Sequence, residues 1–102
     1  LSPNTKSFQR VVLVEYPRRD SWSVAFVTTE MILKTHEHGK EDKIMLFVPT
    51  TPNPTSGYLI IVPEKDVVEL NMPVDEALKW VISMGTLTQK MKFTANQKEK
   101  KT

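Results

Sequence analysis

The residues best suited to bind a metal in this chain are the two imidazoles of the segment His36-Glu37-His38. Side chains at positions i and i+2 share one face only where the backbone is extended, and no third ligand lies nearby in the sequence. Protein metal sites need three or four convergent ligands with supporting hydrogen bonds. We therefore predict no metal site and interpret both histidines as surface side chains of a polar loop.

Covalent catalysis has little support in the sequence. No serine stands in a nucleophile-elbow context, and the absence of cysteine excludes a thiol nucleophile and thiolate metal ligands. An enzyme that used Glu64, Asp66 or the histidines would need carboxylates converging in a pocket. We predict that the chain has no catalytic residue and needs no cofactor.

The most distinctive segment joins the apolar runs Ile44–Val48 and Tyr58–Val62. It has nine residues, with three prolines, one glycine and four hydroxyl side chains. In order, they are Pro49, Thr50, Thr51, Pro52, Asn53, Pro54, Thr55, Ser56 and Gly57. Each proline fixes φ and removes a backbone donor, and the glycine permits a positive φ. We predict a stiff, shaped loop without regular secondary structure.

This loop is the first candidate for a ligand or partner surface. Its hydroxyls and amides could surround a phosphate or lipid headgroup, although Pro52 and Pro54 remove two amides and no lysine follows Gly57 as a Walker-type loop requires. The alternative is a rigid connection whose hydroxyls bond its own carbonyls. Stiffness favours recognition by preorganisation. Arg18 and Arg19 would add positive charge if the fold brings them near.

The net charge of +2 is unevenly distributed along the chain. The last thirteen residues hold five basic and one acidic group (5 − 1 = +4), which leaves nine basic and eleven acidic groups in residues 1–89 (9 − 11 = −2). The basic residues of this tail are Lys90, Lys92, Lys98, Lys100 and Lys101. A negative body argues against nucleic acid as a partner, whereas a basic tail can be drawn to anionic lipid headgroups. The alternative is a solvated, disordered terminus.

Five strands and one helix would position these residues. We predict strands at Val11–Val14, Trp22–Met31, Ile44–Val48, Gly57–Val62 and Val67–Leu70, where β-branched and apolar residues dominate. The first two strands would form a hairpin through Pro17–Ser21. Thr35–Asp42 is polar and is predicted to be an exposed connection. The dense apolar runs on either side of the proline-rich loop are predicted to occupy the centre of the sheet.

After Pro73 the spacing of the apolar residues changes to the period of an α-helix. Val74, Ala77, Leu78, Val81 and Ile82 form one apolar stripe, Asp75 and Glu76 suit its positive end, and Gly85 is a natural stop. Trp22, Phe26 and Trp80 are predicted to be core residues. The fold class is α+β, with a small, strongly twisted, mostly antiparallel sheet or partial barrel of about five strands and one C-terminal amphipathic helix.

At 102 residues the chain is long enough for one small core. We predict a linker over residues 1–8, a single domain over residues 9–86 and the basic tail over residues 87–102. The absence of cysteine is compatible with a reducing compartment.

Four stretches of the chain carry a resemblance to a known family. They are Val11–Arg18, Trp22–Thr28, Phe47–Tyr58 and Val62–Ser83. In this order they resemble the domain of unknown function 502, a family of membrane proteins that includes the plant continuous-vascular-ring and like-continuous-vascular-ring proteins. Two departures stand out. Members usually carry a glycine shortly before the tryptophan and another before the phenylalanine, where this chain has Asp20-Ser21 and Ala25, and Pro73 stands where members tend to place a helix-capping serine.

The resemblance implies a parent protein with a two-helix membrane hairpin followed by a soluble domain, which this chain would form. Its longest apolar runs are about five residues, against the roughly twenty that cross a bilayer, so any anchor would lie outside it. We expect a membrane localisation with this domain facing the cytoplasm, since the basic tail agrees with the positive-inside tendency.

Three functions follow as hypotheses. The first is a non-enzymatic interaction or regulatory module, held at a membrane by upstream helices, that uses Pro49–Gly57 as a partner or headgroup surface. The second is self-assembly of the parent protein through an uncovered sheet edge or the Trp80/Met84 flank of the helix. The third is an enzyme, which lacks a supporting motif.

Overall fold

The computed structural model of the chain describes residues 10–35, 37 and 39–87, as one sheet with one helix. The strands are β1 (Arg10–Glu15), β2 (Trp22–Thr35), β3 (Gly39–Pro49), β4 (Gly57–Pro63) and β5 (Val68–Leu70), and the helix is α1 (Val74–Ile82). A short 3-10 turn, Glu64–Asp66, joins β4 to β5. Among these residues no helix is both long and apolar enough to cross a membrane.

The five strands lie in the order β4-β3-β2-β1-β5, and each pair of neighbours is antiparallel. This confirms the predicted α+β fold with about five antiparallel strands and one C-terminal helix. The first hairpin is also confirmed, with Glu15 opposite Trp22. Its turn places Asp20 at φ 66°, a left-handed conformation that aspartate tolerates better than most residues where glycine would be easiest.

Both faces of β1 are buried. Val11 packs on one side with Phe26, Leu70 and Ala77. Val12, on the other side, belongs to a larger cluster of buried side chains that includes Val14, Ala25, Val27, Ile44, Leu46, Val48 and Val67. Each large apolar side chain withdrawn from water contributes about 1.5–3 kcal/mol, so these two clusters supply most of the driving force for folding.

The helix α1 covers the first of these faces. Ala77 and Val81 are buried, whereas Ile82 at the end of the predicted stripe is 56% exposed. Pro73 precedes the helix without a side-chain cap. Gly85, with φ 83°, ends the last turn by donating its N–H to the carbonyl of Trp80 at 2.8 Å. The predicted start and stop signals are thus confirmed.

The second face is closed by the curvature of the sheet, which brings β4 across towards β1. At one end the rings of Tyr16 and Tyr58 meet with their centroids 5.7 Å apart. At the other end Arg10 Nη2 lies 3.6 Å from a carboxylate oxygen of Glu64, directly after β4. Ile60 of β4 packs against the buried cluster from inside this curve.

Three predictions about individual segments are wrong. The region Thr35–Asp42 is mostly strand rather than a connection, because β2 and β3 stay paired down to Thr35 opposite Gly39. Gly39 adopts φ 65°, which allows the tight return. Gly57–Val62 is not central, since β4 is an outer strand that pairs only with β3 among the described residues. Trp22 is 46% exposed rather than core, although Phe26 is fully buried and Trp80 is partly buried.

Arg10 connects four elements on the second face. Its guanidinium binds Glu69 of β5 through Nε at 3.0 Å and Nη2 at 2.8 Å, and Nη1 lies 3.2 Å from Glu30 of β2. Glu64 of the 3-10 turn completes the cluster. The hydrogen bond to Glu69 raises the pKa of Arg10 against the opposing effect of partial burial. The arginine therefore keeps its charge throughout the accessible pH range, so its ion pairs with the three carboxylates do not depend on its own protonation.

We expect Glu69 to account for most of this stabilisation. Arg10→Met combined with Glu69→Gln in a double-mutant cycle should give a coupling free energy of about 1–2 kcal/mol, because the contact is bidentate and half-buried. The matched cycle with Glu30→Gln should give less than about 0.5 kcal/mol, because that carboxylate is 59% exposed. Urea unfolding of the six proteins measures both cycles. Equal couplings would show that Glu69 and Glu30 share the arginine without preference.

Candidate functional site

The nine-residue loop after β3 is held by bonds within itself. Thr50 donates its backbone N–H to the carbonyl of Ser56 at 2.9 Å. Its hydroxyl lies 3.0 Å from the same carbonyl, 2.8 Å from the Ser56 hydroxyl and 3.3 Å from the carbonyl of Asn53. One threonine side chain thus connects the beginning, the middle and the end of the loop.

A second set of bonds shapes the tip of the loop. The side-chain oxygen of Asn53 accepts hydrogen bonds from the backbone N–H of Thr55 at 3.2 Å and from its hydroxyl at 2.7 Å. An asparagine bonded to the amide two residues later mimics a backbone turn. The Thr51–Pro52 peptide bond is cis. The predicted alternative in which the loop's hydroxyls bond its own carbonyls therefore describes Thr50 well.

Gly57 serves a different purpose from the one the sequence indicated. Its φ is not among the positive values of the chain. A Cβ at this position would overlap the carbonyl oxygen of Val48 and would lie 2.8 Å from a ring carbon of Phe47 and 2.9 Å from the Cα of Pro49. Glycine is required because β4 starts pressed against β3, opposite Pro49.

The loop shares one end of the sheet with the β1–β2 turn, because β1 and β3 run in the same direction. The Tyr16–Tyr58 ring contact joins the two connections. Arg18 and Arg19 are exposed in that turn, so the fold places both at the loop's end of the sheet. Their charge is balanced locally by Glu15 and Asp20, with Glu15 accepting the Asp20 N–H at 2.9 Å.

The loop and the strand that follows it form one uncharged surface. From Ile44 to Pro63, twenty consecutive residues carry no charge, whereas the chain's 25% share of charged residues would put five there. The apolar part of this surface lies on β4, where Tyr58, Leu59 and Ile61 are 55%, 64% and 46% exposed. No motif in the sequence pointed to these three residues as a surface, although the length of the uncharged run was a visible signal.

The other predicted site residues lie elsewhere or outside the described chain. The five tail lysines, Lys90, Lys92, Lys98, Lys100 and Lys101, lie outside the described residues, as do His36 and His38. Glu64 is engaged by Arg10 at the rim of an open cleft of about 470 Å³, which Glu30, Asp42 and Lys43 also line. Asp66 is exposed and does not line this cleft. Within the described ranges, no three acidic or histidine side chains group as metal ligands.

The fold and the loop define a small α+β domain that presents a shaped, uncharged loop at one end. Over residues 1–56, more than half of its length, the chain matches the family described as a protein of unknown function (DUF502), and it belongs to that family. Two Arabidopsis thaliana proteins, Protein LIKE COV 1 and Protein CONTINUOUS VASCULAR RING 1, are each 28% identical to it over 82 residues, or 80% of the chain. The chain spans 31% and 30% of their lengths. No solved structure matches it.

Removing the Thr50 hydroxyl should loosen the loop. We expect Thr50→Val to lower the free energy of unfolding by about 1 kcal/mol, because it deletes the bonds to Asn53 and Ser56 while keeping the side-chain volume. Thr51→Val is the matched control: its side chain is exposed, so its effect should stay within about 0.5 kcal/mol. Urea unfolding of the two variants gives the comparison. Similar values would mean that the hydroxyl network adds nothing to stability.

A side chain at position 57 should disrupt the start of β4. We expect Gly57→Ala to cost about 3 kcal/mol, since the new Cβ meets backbone atoms that move only if β3 and β4 separate. Gly85→Ala is the control, because nothing lies within 4 Å of its Cβ and only the left-handed φ is strained. That substitution should cost about 1 kcal/mol. The free energies of unfolding of the two variants are measured by thermal or urea unfolding. A larger loss for Gly85→Ala than for Gly57→Ala would contradict this prediction.

Proposed function

We propose that this chain is a non-enzymatic interaction module of a membrane-anchored protein, and that its contact surface is the end of the sheet carrying Pro49–Gly57. The membrane context rests on the family, since the anchor would lie outside the described residues. The single observation that carries the contact surface is the bonding of Thr50 and Asn53 within the loop. A loop that is already shaped loses little entropy on binding, which favours recognition by preorganisation.

The chemistry of the loop favours a protein partner over a phosphate or lipid headgroup. Anion-binding loops aim several N–H donors outward, but the N–H groups of Thr50 and Thr55 are directed to acceptors within the loop. Pro52 and Pro54 have no N–H to offer. Exposed aromatic side chains, Trp22 and Tyr58, stand at the same end and are typical of the residues that dominate protein interfaces.

The direction of the chain supports the same proposal. Residues upstream of β1 join it at Arg10, at the end of the strand away from the loop and the β1–β2 turn. The loop therefore lies at the end of the sheet opposite the residue at which an upstream anchor would be joined to β1. A partner in the surrounding aqueous phase fits this orientation better than the lipid surface to which the protein is anchored.

A photo-crosslinking experiment tests the proposal. A photoreactive amino acid at Thr51 in the full-length protein should give an adduct of discrete mass in cells. Excess wild-type chain should compete for that adduct, and a chain carrying Gly57→Ala should compete at least about tenfold less well. The same amino acid at Lys34, exposed in the β2–β3 hairpin, is the matched control and should give no such adduct.

Amide shifts distinguish the lipid alternative. The labelled chain is titrated with anionic and with neutral bicelles at low and at high salt. Shifts at Thr50–Gly57 that persist in salt would replace the protein partner with a headgroup site. Shifts confined to Lys90–Lys101, or to Arg18 and Arg19, that vanish in salt would indicate nonspecific attraction and leave the protein partner as the proposal.

A second candidate function is self-assembly of the parent protein. The observation that favours it is the uncharged outer strand β4, with Leu59 and Ile61 exposed beside the loop. The helix flank named in the sequence analysis also remains available in part, since Met84 is 64% exposed.

A further inference from the structure

We infer that β4 is a pairing edge for a second copy of this chain, which adds its own β4 antiparallel and continues the sheet across the two molecules. This inference rests on the second candidate function, self-assembly, which it makes specific, and it does not depend on the loop surface described above. It rests on three properties of β4: its position in the sheet, its chemistry and its self-complementarity.

The position of β4 leaves a row of backbone groups unpaired by any described strand. β4 pairs with β3 from Gly57 opposite Pro49 to Pro63 opposite Lys43, and within residues 10–35, 37 and 39–87 no strand pairs with its other side. Alternate N–H and C=O groups of an edge strand point away from the sheet, ready for another strand. The occupant that suits such a row is a β-strand.

The sequence of β4 lacks the features by which soluble proteins prevent another strand from pairing with the edge of a sheet. Outer strands are commonly protected by lysine, by internal proline, by a bulge or by a very short length. β4 is seven residues long with no charged residue, and its register with β3 is unbroken. The other outer strand, β5, has three residues and carries Glu69, which is tied to Arg10. Of the two outer strands in the described part of the chain, β4 is therefore the one suited to accept a strand along its length.

The side chains of β4 identify the occupant as apolar. Leu59 and Ile61 point to the same face as Phe47 and Met45, their partners on β3, and they are 64% and 46% exposed. A charged strand laid alongside would bury its charge against these residues. An uncharged strand with apolar residues at alternate positions would extend their surface instead.

A second β4 meets this requirement because the strand is complementary to itself when reversed. In the antiparallel register that overlaps all seven residues, the symmetry axis passes through Ile60. Leu59 of one copy then lies opposite Ile61 of the other, and Tyr58 lies opposite Val62. This arrangement is a two-fold, closed interface that buries four apolar side chains from Leu59 and Ile61 on one face.

Sedimentation equilibrium over a concentration series tests the pairing. The wild-type chain should dimerise, and the double variant Leu59→Lys, Ile61→Lys should raise the dimer dissociation constant at least about tenfold, because like charges would face each other across the new pair. Ile32→Lys is the matched control, since Ile32 is 62% exposed on β2 and should leave dimerisation unchanged. Both substituted positions on β4 are exposed, so unfolding midpoints near that of the wild type will show that the variant is folded.

Crosslinking tests the register, and the chain offers a clean background because it has no native cysteine. Opposite positions in an antiparallel pair have Cβ atoms about 5 Å apart, against about 7–8 Å for diagonal positions. A mixture of Leu59→Cys and Ile61→Cys chains should therefore form disulfide-linked dimers faster than either variant alone.

Three results would overturn the inference. The first is a wild-type chain that stays monomeric up to about 1 mM, which is the effective concentration that tethering supplies. The second is a dimer that the lysine variant leaves intact. The third is a mixture of the two cysteine variants that crosslinks no faster than either variant alone. Because neither lysine substitution lies in the loop, the photo-crosslinking at Thr51 reports separately on the proposed function.

Discussion

The burial of β1 on both faces is the constraint on which the rest of this structure depends. Val11 and Val12 point in opposite directions and both are almost fully withdrawn from water, so each side of the sheet needs its own cover. A nine-residue helix is sufficient for one side. The chain has no second helix in its described part, and the other side is covered by bending the sheet until β4 and Val67 lie over it. The Arg10 cluster and the Tyr16–Tyr58 contact hold this bend at its two ends.

This constraint explains which parts of the fold could be predicted from the sequence. Continuous β-branched residues in β1, alternation in β2 and the 3.6-residue period of α1 each report local burial, and all three elements are confirmed. The prediction of β4 as a central strand was wrong because an apolar run indicates burial without saying what provides it. In β4 one set of alternate residues faces the core and the other set, Leu59 and Ile61, faces water.

Other features depend on contacts between residues distant in sequence. Arg10 forms ion pairs with carboxylates that lie 20, 54 and 59 positions further along the chain (30 − 10, 64 − 10 and 69 − 10). No local sequence pattern predicts such contacts. The far end of the β2–β3 hairpin was interpreted as a connection because residues 34–43 are polar or charged apart from one glycine. The need for glycine at position 57 arises from the carbonyl of Val48 across the ladder. The loop's composition, by contrast, correctly indicated an irregular segment, and its hydroxyl and amide side chains bond within it.

Pairing through β4 depends strongly on the concentration of the chain. A pair of seven-residue strands buries far less than the roughly 800 Å² per partner of a standard interface, so pairing through β4 alone would be weak in dilute solution. The proposed attachment to a membrane would change this balance, because tethering would confine copies to a shared plane at an effective concentration near the millimolar range. An edge too weak to join free domains can then join anchored ones. The same uncharged strand is thus compatible with a domain that stays monomeric when diluted and assembles where its parent protein is concentrated.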